Sequence, residues 1–293
     1  MVEAPKQQIP GVYHRRIGDI VVTALSDGFL DGTVEVLRNI SAADANGMLT
    51  ANFRPGRRTS VNCYAIHSAG RIALVDTGSG NYLLPTAGKL RDNLRAAGID
   101  PAAIERVLLT HMHPDHSAGL TDPATGARLF PNAEVVVHAN EPRHWDNDEA
   151  MSAASERARK LYFECAREQI APYRDRLLLL TQSEEVLPDV TSMPLHGHTP
   201  GHSGYLIASA GESLLIWGDI VHVPEIQVPR PDVTIEFDTD PAAAEATRRR
   251  TFDLAASQRL LIAGMHVHFP GFAHVVRRGE GYALLPEPWV HAF

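Results

Sequence analysis

The sequence predicts a layered α/β domain in which two buried layers of strands are covered by helices. Short apolar runs separated by turns begin at residue 61, and helical segments alternate with strands after residue 86. Apolar residues make up 44% and charged residues 21% of the 293 positions, a balance typical of a folded α/β protein. Because no Ser/Gly-rich linker or internal repeat interrupts the pattern, we expect a single domain over residues 1–293, with residues 1–60 as an N-terminal extension packed on it.

The individual elements follow from the apolar runs and the turn residues between them. Strands are predicted at residues 20–25, 61–66, 72–75, 106–109, 134–137, 177–180, 205–208, 213–217 and 260–263. Helices are predicted at residues 86–97, 151–170 and 240–258. Asp240 and Pro241 suit the N-cap and the first turn of the last helix. The strand at 106–109 leads directly into a cluster of histidines.

Charge and hydropathy exclude several classes of partner. The 27 Lys and Arg residues are outnumbered by 35 Asp and Glu residues, and the net charge of -8 opposes binding to a phosphate backbone. No run approaches the roughly 20 apolar residues that span a bilayer, and the first residues lack the apolar core of a signal peptide. Two cysteines, Cys63 and Cys165, are too few for a disulfide framework. We expect a cytoplasmic protein that binds neither nucleic acid nor membranes.

The most informative stretch, residues 110–119, follows an apolar strand. It places His111, His113, Asp115 and His116 within a few positions of one another, where the chain can turn and direct several side chains to one point. Imidazole and carboxylate are the ligands preferred by zinc and its first-row neighbours. The stretch therefore predicts a metal site at the end of this strand.

Further candidate ligands lie at the ends of other predicted strands. They are Asp76, His196, His198, His202, Asp219, His266 and His268. Each one alone is more often a structural turn residue than a ligand. Their repetition at the same end of successive strands predicts that several of them meet at one site.

Five ordered motifs together resemble the metallo-β-lactamase superfamily. They are Val75-Asp76-Thr77-Gly78, the stretch from Thr110 to His116, Gly197-His198-Thr199-Pro200-Gly201-His202, Gly218-Asp219 and the late His266. More closely, the chain resembles the branch that contains methyl parathion hydrolase and the acyl-homoserine lactone lactonases, over nearly its whole length. The resemblance implies a four-layer αββα sandwich, the metallo-β-lactamase fold.

The resemblance also implies which residues bind metal. It assigns three ligands to a first ion, namely His111, His113 and His202. It assigns three to a second ion, namely Asp115, His116 and His266, and places Asp219 as a bridge between the ions. His198 and His268 are not ligands in this assignment, although His268 is close enough in sequence to compete with His266. Asp76 is expected to support the site as a hydrogen-bond acceptor behind a ligand.

This ligand set predicts hydrolysis by a metal-bound nucleophile. Two divalent ions lower the pKa of a shared water to about 7, so that a bridging hydroxide exists at neutral pH. We expect it to attack a carbonyl or phosphoryl centre while Asp115 transfers a proton to the leaving group and Asp219 bridges the ions. Zinc is the first expectation for both ions, with manganese, cobalt and iron as alternatives, because mixed His and Asp ligation accepts all of them.

The substrate pocket is expected to contain aromatic side chains and one further histidine, namely Phe29, Trp145, Tyr162, Phe163 and His222. The related enzymes of this branch have apolar pockets, which implies a hydrophobic substrate. His222 either hydrogen-bonds a lactone or its carboxylate product, or caps a turn. The leading hypothesis is a dinuclear hydrolase of hydrophobic lactones of the acyl-homoserine type, with organophosphate triesters as a secondary substrate class.

Three other functions stay open. They are organophosphate hydrolysis as the main activity, thioester hydrolysis of the glyoxalase II type, and a non-enzymatic role as a metal-binding structural or sensor protein. A seven-ligand set with a bridging carboxylate fits an open catalytic site better than a closed structural site with four ligands. The expected partner is a small ester, lactone or phosphotriester, and the resemblance implies a homodimer.

Overall fold

The computed structural model describes residues 3–292, which form two large sheets and their covering helices. In chain order the strands are β1 (Val12–Ile17), β2 (Ile20–Gly32), β3 (Leu37–Arg38), β4 (Arg57–Ser68), β5 (Arg71–Val75), β6 (Arg106–Leu108), β7 (Glu134–His138), β8 (Leu177–Leu180), β9 (Glu185–Leu187), β10 (Val190–Pro194), β11 (Ser203–Ser209), β12 (Glu212–Ile216), β13 (Thr234–Ile235), β14 (Leu261–Ala263), β15 (Phe272–Arg278) and β16 (Gly281–Pro286). The α-helices are α1 (Ala42–Ala51), α2 (Leu90–Ala96), α3 (Pro114–Ser117), α4 (Asn140–Trp145), α5 (Asp148–Ala153), α6 (Glu156–Ala158), α7 (Cys165–Ile170), α8 (Pro224–Gln227) and α9 (Pro241–Gln258). No helix in this part of the chain is long and apolar enough to cross a membrane.

The two large sheets have mixed topologies. The first has the order β1-β2-β4-β5-β6-β7-β8, antiparallel as far as β5 and parallel from β5 to β8. The second has the order β16-β15-β14-β12-β11-β10-β9, with β12 and β14 as its parallel pair. Parallel neighbours require a crossover connection, and α2 and α9 lie on two of these crossovers.

The inner faces of the two sheets pack on each other, and helices cover both outer faces. Buried side chains between the sheets include Val22, Ile66 and Val75 from the first and Ile207, Ile216 and Phe272 from the second. Leu94 of α2 and Ile170 of α7 pack on the outer face of the first sheet, and Phe252 of α9 packs on that of the second. This arrangement confirms the predicted four-layer αββα sandwich.

The N-terminal segment is built into this sandwich. Residues 12–32 form β1 and β2, and β2 pairs with β4 from Val21 to Gly32. This part of residues 1–60 is therefore integral to the first sheet, not an extension packed on a finished domain. Residues 1, 2 and 293 of the predicted domain lie outside the described part of the chain.

The predicted helix over 151–170 is wrong as a continuous element. Ala154 has an extended backbone (φ −73°, ψ 153°), which ends α5, and the Ser155 hydroxyl accepts a hydrogen bond from the Ala158 N–H to start α6. Residues 159–164 then form a π-helical turn before α7. Ser155 is a favourable N-cap residue, so the chain starts a new helix there.

The sheets meet the candidate site at the carboxyl ends of β5, β6, β12 and β14. Asn62 of β4 joins the two sheets at this edge, because its side-chain amide donates to the Gly264 carbonyl (3.0 Å) and its backbone N–H donates to the Met265 carbonyl (2.9 Å). The loop after β14 is thus fixed to the opposite sheet. Loops that follow neighbouring parallel strands emerge together, which brings the predicted ligands into one region.

Asp240 is the predicted N-cap of α9, and the structure confirms it: its side chain accepts from the Ala243 N–H at 3.0 Å. We expect Asp240→Ala to lower the free energy of unfolding by about 1 kcal/mol, because it removes this bond at the start of the longest helix. Urea unfolding of the metal-free protein measures the change. Asp100→Ala, at the N-cap of a single 3₁₀ turn, is the control and is expected to cost less; equal losses would contradict the account.

Candidate metal centre

Asp219 lies at the centre of a group of buried histidines. It follows β12 in a short 3₁₀ turn, and its Oδ2 lies 3.1 Å from His266 Nε2, 3.3 Å from His116 Nε2 and 3.4 Å from His198 Nε2. His111 Nε2 lies 3.8 Å from the same oxygen. One carboxylate therefore faces side chains from three separate loops.

Two sets of potential ligands flank this carboxylate. The first is His111, His113 and His198, and the second is Asp115, His116 and His266; within each set the ligand atoms lie within 4.8 Å of one another. His111 Nε2, His116 Nε2 and Asp219 Oδ1 are buried without a hydrogen-bond partner among the described residues. Unpaired buried polar atoms are costly, and two divalent ions would satisfy them. The donor set therefore fits a dinuclear centre.

The outer nitrogens of three histidines are held by hydrogen bonds. His116 Nδ1 lies 2.7 Å from Asp76 Oδ2, His198 Nδ1 lies 2.8 Å from Asp238 Oδ1, and His266 Nδ1 lies 2.7 Å from the Ser60 carbonyl oxygen. Such bonds fix the tautomer and leave the Nε2 lone pair available to a metal ion. Asp76 also accepts from the Thr110 N–H (2.7 Å) and hydroxyl (2.8 Å), so it lies directly behind His116.

The structure places the expected ligand His202 against backbone groups of Leu195 and Asp219. Its Nδ1 lies 2.8 Å from the Leu195 carbonyl oxygen, and its Nε2 accepts the Asp219 N–H at 2.8 Å, so neither nitrogen has a free lone pair. Burial, followed by the charge of His198, lowers the pKa of His202 to about 3, which keeps the ring neutral. His198 lies beside His111 and His113, and its Nε2 is 3.0 Å from His113 Nδ1.

The other competing histidine, His268, faces away from the cluster. Its Nε2 lies 2.6 Å from Glu225 Oε1, and the same oxygen accepts from Arg54 Nε at 2.6 Å. Burial disfavours the charge of Glu225, but His268 and Arg54 together hold its pKa at about 2. His268 is therefore part of a separate ion-pair group, while His266 faces Asp219.

The electrostatics of the cluster favour ionised Asp219. Burial disfavours its charge, yet the surrounding imidazoles, His116 first, hold the pKa of Asp219 well below its ordinary range. His222 Nε2 lies 3.0 Å from Asp219 Oδ2, and burial lowers the pKa of His222 to about 4, so that its ring is neutral. Its Nδ1 has no hydrogen-bond partner among the described residues. The sequence identified His222 as a candidate but not its contact with Asp219.

Glu141 and Asp238 are supporting residues that the sequence analysis missed. Glu141 is fully buried on α4 and joins two ligand loops, because it accepts from the Met112 N–H (2.9 Å) and the Gly201 N–H (2.8 Å). No motif marks this role, since it depends on how α4 packs. Asp238 could have been suspected only from the acidic run that precedes α9.

A cavity of about 600 Å³ opens onto the cluster. His113, Asp115, Asp219, His222 and His266 are among its lining residues. The apolar part of its wall includes Leu30, Val36, Leu83, Leu84, Leu161, Tyr162 and Phe237. Two of the expected pocket residues, Tyr162 and His222, therefore line the cavity.

The structure corrects the other three expected pocket residues. Trp145 is only 4% exposed and its Nε1 donates to Glu141 Oε2 at 2.8 Å, because α4 turns this side chain toward the sheet. Phe163 is buried in the same core as Trp145. Phe29 packs beneath Arg58, whose guanidinium carbon lies 3.9 Å from the ring centroid, and it does not line the cavity.

His198→Ala is expected to lower the bound metal by about one ion per chain, because it removes a ligand from the first set. His202→Ala is expected to keep two ions but to lower the free energy of unfolding by about 1–3 kcal/mol, because the Asp219 N–H loses its acceptor. Elemental analysis of the purified variants and urea unfolding of their metal-free forms measure both effects. Loss of metal from His202→Ala with full loading of His198→Ala would reverse the assignment.

Solved structures share this architecture. A hydrolase, AbOPH, described as belonging to the beta lactamase superfamily, is 30% identical, has a TM-score of 0.91, and aligns over 97% of this chain and 100% of its own. AidC, described as a dizinc quorum-quenching lactonase in complex with its product, is 24% identical with a TM-score of 0.90, and the alignment covers 96% of this chain and 99% of AidC. At that identity the likeness to AidC shows the fold alone.

Curated relatives match a shorter segment. An atrochrysone carboxyl ACP thioesterase from Passalora fulva is 38% identical over 90 residues, which are 30% of this chain and 25% of that protein. The match thus spans about a quarter of the relative's length. Residues 56–266 match the family described as the Metallo-beta-lactamase superfamily. This range is well over half of the chain and includes all of the loops that carry the histidine cluster. The chain belongs to the metallo-β-lactamase superfamily.

Proposed function

We propose that the protein opens lactones that carry an apolar acyl chain, using a dinuclear metal centre. The observation that supports this most is the cavity itself, because it is lined both by the histidine and carboxylate cluster and by leucine and aromatic side chains. A lactone ring at the cluster would leave its acyl chain against that wall. Apolar walls with a few convergent polar groups are typical of small-molecule sites.

The proposed ligands are His111, His113 and His198 for one ion, Asp115, His116 and His266 for the other, and Asp219 between them. When bound, two divalent ions would supply a hydroxide nucleophile at neutral pH and polarise the scissile carbonyl. Zinc is our proposed ion, because buried imidazole and carboxylate groups are its usual ligands.

Asp115 and His222 are the proposed groups for proton transfer and substrate orientation. The Asp115 side chain is partly exposed to the cavity beside the cluster, so its carboxylate could take the proton of the attacking hydroxide and deliver it to the leaving oxygen. His222 Nδ1 is unpaired while its Nε2 contacts Asp219. We propose that Nδ1, the acceptor nitrogen of this neutral ring, receives a hydrogen bond from the amide N–H of an acyl-homoserine substrate.

A second candidate function is thioester hydrolysis. It is favoured by the segment shared with the curated ACP thioesterases, although that segment covers only about a quarter of the relative from Passalora fulva. Thioesters and lactones have the same acyl electrophile, and the cavity wall would accept the acyl chain of either. Organophosphate triesters are proposed as a secondary substrate class, since the same nucleophile can attack a phosphoryl centre.

We further propose that the protein is a cytoplasmic homodimer that does not bind nucleic acid. The net charge of -8 supports the absence of nucleic acid from its partners. Trp289 and Val290 are exposed near the C-terminus and support a homodimer in which they are covered. We keep the cytoplasm as the proposed compartment.

The test is the ratio of kcat/KM values for a long-chain acyl-homoserine lactone, an acyl thioester of equal chain length and a dialkyl aryl phosphate, on one zinc-loaded preparation. We expect the lactone to have the highest value. Asp219→Asn is expected to lower it by at least about 100-fold, since even residues outside the ligand set change activity 10- to 100-fold in metal sites.

Arg278→Gln, on an exposed stretch of β15, is the matched control and is expected to keep full activity. A preference for the thioester would select the second candidate. Equal lactone turnover in wild type and in Asp219→Asn would contradict catalysis at this cluster.

A further inference from the structure

Arg57 lies on the wall of the cavity that opens onto the metal centre. It is the first residue of β4 and is partly buried, and burial lowers the pKa of its guanidinium, which means that the charge has been moved partly out of water. Thr59, two residues along the same strand, lines the cavity too. Residues i and i+2 of a strand share one face, so both side chains point to the same side.

The guanidinium of Arg57 is held in place on one edge. Its Nε donates to the Thr33 carbonyl oxygen at 2.8 Å, and its Nη1 donates to Thr59 Oγ1 at 3.1 Å. Gly32 makes room for the group, because a Cβ at this position would overlap Arg57 Nη2. Nη2 itself makes no hydrogen bond within residues 3–292. A fixed planar group with free N–H donors is suited to bind an oxygen acceptor.

No carboxylate of the described chain forms an ion pair with Arg57. The two acidic groups whose charges act on Arg57 are Glu236 and Asp31, and each forms an ion pair with another arginine. Arg58 Nε lies 2.7 Å from Asp31, and Arg38 Nη2 lies 3.1 Å from Glu236. Partly buried charges are usually paired. The cavity wall therefore contains a guanidinium that has no carboxylate partner among residues 3–292.

The spacing along β4 between Arg57 and the residue that contacts His266 is comparable to the length of an acyl chain. The Ser60 carbonyl oxygen accepts from His266 Nδ1 at 2.7 Å, so Ser60 marks the position of the centre on β4. Arg57 precedes it by three residues, which is about 10 Å along a strand. An acyl chain that extends from a lactone ring at the cluster can cover this span.

We propose that Arg57 is a specificity-determining residue that binds a carbonyl or carboxylate oxygen on the acyl part of the substrate, remote from the scissile bond. This inference rests on the proposed function, because it places the ring at the cluster. It changes the expected substrate from a purely apolar chain to one that ends in, or carries, an oxygen acceptor. The two sources of that acceptor, a ketone and a carboxylate, differ in charge and can be separated.

The experiment compares three acyl-homoserine lactones of equal chain length whose acyl chains end in a methyl group, a methyl ketone or a carboxylate. For wild type we expect kcat/KM to be about 10-fold or more higher with one of the oxygen-bearing chains than with the methyl-ended chain, the scale of a hydrogen bond to a charged group. In Arg57→Gln the ratio should fall to within about 2-fold, and Arg57→Lys should keep part of a carboxylate preference because it keeps the charge.

Arg58→Gln is the matched control. Arg58 is the next residue of β4, is exposed and paired with Asp31, and does not line the cavity, so the ratio should not change. A wild-type ratio near one, or a preference that survives in Arg57→Gln, would overturn the proposal. A structural role of Arg57 would lower all three rates together without changing their ratio.

Binding separates this inference from the proposed function. Suberate and octanoate have equal chain lengths, but only suberate carries a second carboxylate. Calorimetry of their binding measures the contribution of that carboxylate to the affinity without any turnover. For the wild type we expect suberate to bind about 10-fold more tightly than octanoate. For Arg57→Gln we expect the two compounds to bind equally. If no lactone is hydrolysed but this preference is found, the proposed function fails and the Arg57 site stands; equal affinities in wild type would overturn the site.

Discussion

Asp219 is a carboxylate held almost entirely out of water, and its negative charge is stabilised only by the imidazoles around it. Four of them, from His116, His266, His198 and His222, come within 3.4 Å of one oxygen. An isolated charge at such a depth costs many kcal/mol, so the site requires either protonated histidines or cations. Two divalent ions satisfy the carboxylate and free the histidines to stay neutral. The geometry of the surrounding loops follows from this requirement.

The loops are held in place by further buried carboxylates. Asp76 connects the loop after β5 to Thr110 and His116, Asp238 holds His198, and Glu141 connects the loops at Met112 and Gly201. Each of these acids accepts hydrogen bonds from groups that would otherwise be unsatisfied. The ligands are thereby positioned before any ion binds. Positioned ligands on rigid strand ends are what a catalytic metal site needs.

Much of the fold could be predicted from the sequence because the central strands are short, apolar and bounded by turns. Four predicted strands lie within observed strands or end one residue beyond them, namely 61–66, 72–75, 106–109 and 134–137. The N-terminal strand β1 was missed because VYHRRI mixes apolar and charged residues, and it is an edge strand with little burial. Its pairing with β2 depends on tertiary contacts that no local pattern reveals.

The candidate site was predictable to the level of motifs but not of individual atoms. His198 and His202 are both in the same Gly-rich loop and have the same residue type, so spacing alone could not choose between them. The two differ because both ring nitrogens of His202 are hydrogen-bonded to the backbone, at the Leu195 carbonyl and the Asp219 N–H. Only the folded chain brings these groups together. The pocket aromatics were predicted less well, because Trp145 and Phe163 face the core according to how short helices pack.

The most direct measurement of the central claim is anomalous diffraction at the zinc edge from crystals of the zinc-loaded protein. The account predicts two peaks on either side of the Asp219 carboxylate. One should lie within about 2.0–2.2 Å of nitrogens from His111, His113 and His198, and the other should have Asp115, His116 and His266 as its ligands. A single peak, or a peak bound to His202 with His198 turned away, would contradict it.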